Sequence, residues 1–167
     1  AERTGATKTK PFAARHIVLC VARVSRWKRH DIVLDVFTQL AGKIPDVHLL
    51  CVGGPDPDDP AWWSEMQGRS RNTACADRIH WLGYHDDPRV WYQIADVLML
   101  ASAREPFGRV LVEAMACGVP VVAFRSGGVP EIITHAEQGY LLVEGDLAGM
   151  CDAVWRLLET PALRQCM

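Results

Sequence analysis

The chain has 167 residues, enough for one domain with a real core, and its 49% hydrophobic and 23% charged residues suit a globular protein. A net charge of -2 advertises neither nucleic acid nor an anionic membrane surface as a partner. The six cysteines, at positions 20, 51, 75, 117, 151 and 166, form no Cys-x-x-Cys pair, and the six histidines have no metal-ligand spacing.

Neither a disulfide framework nor a metal site is therefore expected, and a reducing, cytoplasmic setting is. No apolar run approaches the ~18 residues of a membrane span. The first ten residues are polar and lack the apolar centre of a signal peptide. Residues 1–15 read as a flexible arm or a linker remnant, and 16–167 as the domain. A start at Ala rather than Met suggests a piece of a longer protein.

In chain order, a first strand is predicted over 17–22, followed by a basic loop, Arg23-Val24-Ser25-Arg26-Trp27-Lys28-Arg29, and a helix near 30–42. A strand over 47–52 runs into Gly53-Gly54-Pro55 and a breaker cluster, Asp56-Pro57-Asp58-Asp59-Pro60, before a helix near 61–73. Then come a strand over 79–82, a helix near 88–94 and a strand over 97–101. The segment Glu105-Pro106-Phe107-Gly108 leads into a helix near 109–117, which Gly118 and Pro120 close. A strand over 119–124, the pair Gly127-Gly128, a helix near 129–134, a strand over 140–143 and a helix near 146–159 complete the pattern.

The strands are continuous apolar runs, as in strands covered on both faces. Their repeated alternation with helices predicts an α/β, Rossmann-like parallel sheet with helices on both sides. Ligands of such sheets bind at the carboxyl ends of the strands, near the switch in strand order. The chemistry is therefore sought in the loops after Ala22, Val52, Leu82, Ala101 and Phe124.

In the first loop, Arg23 and Lys28 could clamp a diphosphate, or the loop could be a solvated basic one. After the fourth strand, Pro106 disfavours helix at Glu105, leaving that carboxylate in a loop at the ligand edge. Gly108 permits close approach of backbone to a ligand. The next helix would point its free N–H groups at an anion. Glu113 lies in a helix that is apolar nearly all round and so should be largely buried, where a lone carboxylate needs a partner. That partner could be Arg109, one turn earlier, or the hydroxyls of a ligand such as a ribose diol. Gly127-Gly128 could supply backbone donors to a phosphate or simply form a tight turn. Neither a Gly-x-x-x-x-Gly-Lys-Ser/Thr loop nor a Gly-x-Gly-x-x-Gly after the first strand is present.

From Val18 to Leu158 the chain resembles the C-terminal, donor-binding domain of family-4 retaining glycosyltransferases, enzymes of the two-domain GT-B fold. The resemblance is carried, in order, by Arg23-x4-Lys28, Gly53-Gly54-Pro55, Leu82-Gly83-Tyr84, Ala95-Asp96-Val97, Glu105-Pro-Phe-Gly-x4-Glu113, Gly127-Gly128-x-Pro-Glu131 and Gly139-Tyr-Leu. It implies a site for a UDP- or GDP-type sugar nucleotide. Arg23 and Lys28 would hold the diphosphate and stabilise the leaving group, and Glu105 would bind the sugar hydroxyls; these three form the implied catalytic set. Phe107, Gly108 and Arg109 would flank sugar and phosphate, Glu113 would hold the ribose, and Gly54 and Tyr84 would complete the donor site.

Transfer of a hexose-type sugar with retention is implied, without a metal or a further cofactor. Ala22 stands where Gly is frequent in the family, and Ala101 where Pro often precedes Ser. The resemblance further implies a missing N-terminal acceptor-binding domain, through which alone a membrane could be touched. The chain ends near where the family's last helix would return to that half. The isolated domain is expected to be inactive. The alternatives are a single-domain nucleotide-sugar-binding protein without catalysis and the donor domain of another GT-B enzyme, such as a sugar-nucleotide epimerase.

Overall fold

A computed structural model describes residues 14–167, so the arm expected over 1–15 lies almost wholly outside the described residues. Six parallel strands form one sheet: β1 (His16–Val21), β2 (Val47–Val52), β3 (Ile79–Gly83), β4 (Val97–Leu100), β5 (Val121–Phe124) and β6 (Gly139–Leu142). Their order across the sheet is β3-β2-β1-β4-β5-β6. The chain works outward in one direction, then returns to the centre and works outward in the other. The reversal falls between β1 and β4, and it opens a crevice at their carboxyl ends.

The apolar runs have the cause expected of them. All six residues of β1 are buried, because successive side chains enter opposite core layers. Val18 and Cys20 pack with α1 (His30–Lys43), α2 (Pro60–Arg71) and α6 (Leu147–Glu159). Ile17, Leu19 and Val21 pack with α3 (Arg89–Ile94), α4 (Arg109–Ala116) and α5 (Val129–Ile132). The breaker cluster 56–60 ends as a helix start: Asp59 caps α2 by accepting from the Trp62 amide at 3.3 Å, with Pro60 in the first turn. Asp146 caps α6 in the same way through the Gly149 amide at 2.8 Å. Asp96, one of the landmarks of the resemblance, lies at the opposite end of the sheet from the crevice. Its carboxylate accepts from the Ile17 amide at 2.8 Å and ties the start of β4 to β1.

Three short elements escape the sequence pattern. Two are 3-10 turns, Arg26–Lys28 and Ala76–Arg78; the third is a final helix, α7 (Pro161–Cys166). Thr160-Pro161 is the signal that could have found α7, since Pro favours the first helical position. Arg164 of α7 donates to the carbonyls of Leu157 and Leu158, each at 2.6 Å, and so caps α6. No helix among the described residues is long and apolar enough to cross a membrane.

His30, fully buried on α1 between Cys20 (Nε2 to Sγ 3.8 Å) and the Trp81 ring, gives the fold an acid sensitivity. Burial lowers its pKa from 6.5 to about 4. The unfolded imidazole therefore takes up a proton near pH 6.5, while the folded one resists until about pH 4. Stability is full above the higher value and falls as pH drops through this window, by about 3 kcal/mol in all. Chemical denaturation at pH 7 and pH 4 should show the loss, and His30→Leu should shrink it; an unchanged slope in that variant would remove His30 as its source.

Candidate functional site

A cleft of about 790 Å³ opens at the carboxyl ends of the central strands, where the strand order reverses. Arg23, Lys28, Gly54, Tyr84, Glu105, Phe107, Gly108, Arg109 and Glu113 all line it. The topology thus brings these nine residues to one crevice. Trp27, Pro57, His85 and Asp86 line it as well, and sequence reasoning passed over them.

Two loops form its base. The loop after β1 folds into the 3-10 turn Arg26–Lys28, and the loop after β4 carries Glu105. They are joined by a backbone hydrogen bond, the Ala103 amide to the Trp27 carbonyl at 2.7 Å. They are joined again by an ion pair, Lys28 Nζ to Glu105 Oε2 at 2.6 Å. Both partners are nearly enclosed, with side chains 12% and 7% exposed. The Lys28 ammonium also lies 4.1 Å over the Trp27 ring, whose π face favours a cation. Lys28 is thereby an enclosed and paired cation rather than a solvated one. Arg23 is different: its side chain is 54% exposed and stands 3.6 Å from Asp56. Arg26, outside the cleft lining, binds Asp59 at 2.7 Å and covers the Trp62 ring. The acidic cluster after β2 thus holds two arginines of the basic loop in addition to starting α2.

The glycines act by conformation and clearance. Gly108 precedes α4 with φ of 83°, a left-handed value that other residues adopt at a cost. It is buried, so its first service is to turn the chain. No side chain caps α4, and Gly108, Arg109 and Val110 line the cleft. The positive end of the helix is therefore available there.

Gly127-Gly128 neither lines the cleft nor serves only as a turn. A Cβ on Gly127 would come within 1.9 Å of the Glu105 carbonyl oxygen, and the Gly128 amide donates to that same oxygen at 2.9 Å. The pair supports the Glu105 loop from behind.

One expectation for α4 is corrected, and one alternative left open for Glu113 falls away. The helix is not largely buried: only Leu111 and Ala114 are, while Val112 is 43% exposed. Apolar residues all round its short length reflect a face left open in this chain. Nor does Glu113 pair with Arg109. Its Oε2 accepts from the Tyr92 hydroxyl at 2.7 Å, a partner from α3 that no helical spacing discloses. Among the described residues Arg109 makes no ion pair. Nor does any group of three or more His, Cys, Asp and Glu take up a metal-holding arrangement there.

Residues 6–167 match the family Glycosyl transferases group 1. The chain belongs to that family. It is 35% identical over 151 residues to the N-acetyl-alpha-D-glucosaminyl L-malate synthase of Bacillus anthracis, a match covering 90% of this chain and 38% of that protein. It is 34% identical over 148 residues to the lipopolysaccharide core biosynthesis mannosyltransferase LpsB of Rhizobium meliloti, covering 87% and 42%. Among solved structures, Anabaena Alr3699/HepE in complex with UDP-glucose aligns with a TM-score of 0.84 and 29% identity, over 90% of this chain and 41% of that one. The C-terminal domain of the group 1 protein LpcC from Francisella tularensis aligns with a TM-score of 0.83 and 25% identity, over 92% and 80%. The chain thus spans about two fifths of the curated relatives it matches, and it is similar to a family member's C-terminal domain over most of that domain's length.

Proposed function

We propose that this chain is the donor-binding half of a retaining hexosyltransferase that takes a UDP- or GDP-activated sugar. The observation that carries the reading is the enclosed Lys28–Glu105 pair in the cleft at the strand-order reversal. It sets a cation for a diphosphate beside a carboxylate for sugar hydroxyls. The similarity to a structure solved with UDP-glucose supports the same ligand class.

In this reading Arg23 leaves Asp56 for the diphosphate, and Lys28 bridges phosphate and Glu105. Phe107, Gly108 and Arg109 border sugar and phosphate, and Glu113 holds the ribose. Gly54 and Tyr84 lie on the side of the base. As the glycosidic bond breaks, negative charge builds on the departing nucleoside diphosphate. Fixed cations and the positive end of α4 neutralise it where a metal otherwise would.

The acceptor is bound by a second domain that this chain does not include, so the chain alone binds donor weakly and transfers nothing. A cytoplasmic location fits the six free cysteines, and contact with a membrane would come only through the second domain. The test is a titration of the chain with UDP and with GDP while following backbone amide shifts. Perturbation should concentrate at 23–28, 105–110 and 113; shifts confined to other loops would defeat the reading.

A further inference from the structure

We infer that Tyr92 is a positioning residue: its buried hydroxyl fixes one oxygen of Glu113 so that the other is presented to the ribose of the donor nucleotide. The inference rests on the role proposed above for Glu113.

Tyr92 is 1% exposed, and its ring lies in the core layer that also contains Leu111 and Ala114 of α4. From this fixed base its hydroxyl reaches Glu113 Oε2 at 2.7 Å. Burial and, after it, the hydrogen bond to Glu113 raise the tyrosine pKa well above 10, so the phenol stays protonated and donates to the carboxylate. Glu113 Oε1 has no hydrogen-bond partner among the described residues.

The tie has something to prevent. Glu113 lines two spaces, the main cleft and a smaller hollow of about 360 Å³ that Tyr92 borders together with Pro88, Cys117 and the Asp87–Arg89 ion pair. A glutamate on the half-open surface of a helix has several torsions, and the hollow gives it room to retract from the cleft. Arg109, one turn away, offers a competing charge. A hydrogen bond to a charged acceptor is among the stronger neutral-donor interactions, and this one comes from a ring that cannot move without disturbing the core. It holds the carboxylate at one place on the wall between hollow and cleft, with Oε2 engaged from the hollow side and Oε1 left over, before ligand arrives, so the ordering is not left to the binding step.

The role predicts an effect confined to ligands that carry ribose hydroxyls. Calorimetric titration of the chain would compare UDP or GDP, whichever binds, with the same nucleotide lacking its 2′- and 3′-hydroxyls. The wild type should prefer the hydroxylated nucleotide by about tenfold or more. Tyr92→Phe, which keeps the ring and its packing, should lose most of that preference and leave affinity for the dideoxy nucleotide unchanged. In a Glu113→Ala background, Tyr92→Phe should change nothing further. A Tyr92→Phe variant that retains the full preference, or that weakens both ligands equally, overturns the positioning role. A wild type that does not distinguish the two nucleotides, or binds neither UDP nor GDP, overturns instead the reading of Glu113 and of the cleft beneath it.

Discussion

Under the proposed function, Lys28→Met in the whole protein is expected to lower transfer turnover by about two to three orders of magnitude and to destabilise the fold of this chain by about 3 kcal/mol. The two effects have one origin. Lys28 lies 2.6 Å from Glu105, and the carboxylate it pairs with is 7% exposed. Removing the ammonium leaves that carboxylate enclosed without its cation, the costly way to break a buried pair. It also removes a fixed positive charge from the place where the leaving diphosphate is proposed to develop its own. Kinetics with saturating sugar nucleotide would read the first effect, and denaturant unfolding of the chain the second.

The two can be separated by adding Glu105→Gln to Lys28→Met. The neutral pair no longer holds an uncompensated charge, so stability should largely return while turnover stays low. Stability that fails to return would show that the loss in Lys28→Met does not come from the uncompensated carboxylate, and Lys28→Met turnover close to that of the wild type would reduce Lys28 to a structural cation.

How far the sequence discloses this site depends on what kind of relation each contact is. The sheet is legible because β1 and β4 are buried on both faces, and that constraint writes itself into consecutive residues such as Ile17 to Val21. The positions of the loops follow from the sheet, which is how Arg23, Lys28, Glu105 and Glu113 can be assigned to one edge before any coordinate is known. The pairings across that edge are another matter. Lys28 and Glu105 are 77 residues apart, and only the reversal of strand order between β1 and β4 makes them neighbours.

Local spacing leaves the partner of Glu113 undecided. An i,i+4 relation to Arg109 states what can be reached, not which way the side chain turns, and the core-fixed hydroxyl of Tyr92 wins. The same limit applies to α4, whose apolar residues read as buried when Val112 is open, since burial depends on what the rest of a protein brings to a face. Gly127-Gly128 was legible as a turn, but its contact with the Glu105 carbonyl requires the fold.

If the whole protein is the transferase proposed, Glu113→Ala and Glu105→Ala should fail in different ways in it. Glu113 reaches the cleft from α4 with one oxygen occupied by Tyr92, at the position proposed for the ribose. Its loss removes an interaction made equally with bound donor and with the transition state. The Michaelis constant for donor should rise by about tenfold, with turnover nearly kept. UDP or GDP alone should bind more weakly by the same factor.

Glu105 is buried, paired with Lys28 and supported by the Gly127-Gly128 turn. A carboxylate held so firmly suits a sugar whose ring changes shape as its bond to the diphosphate breaks. Glu105→Ala should therefore cut turnover by about a hundredfold or more. It should leave the affinity for free UDP or GDP within a few-fold, because the nucleotide alone has no sugar to lose. Freed from its carboxylate, Lys28 is also more available to the diphosphate, which pushes nucleotide affinity upward and widens the contrast. Parallel losses of turnover and nucleotide affinity in the two variants would contradict the division of the cleft into a ribose end at Glu113 and a sugar end at Glu105.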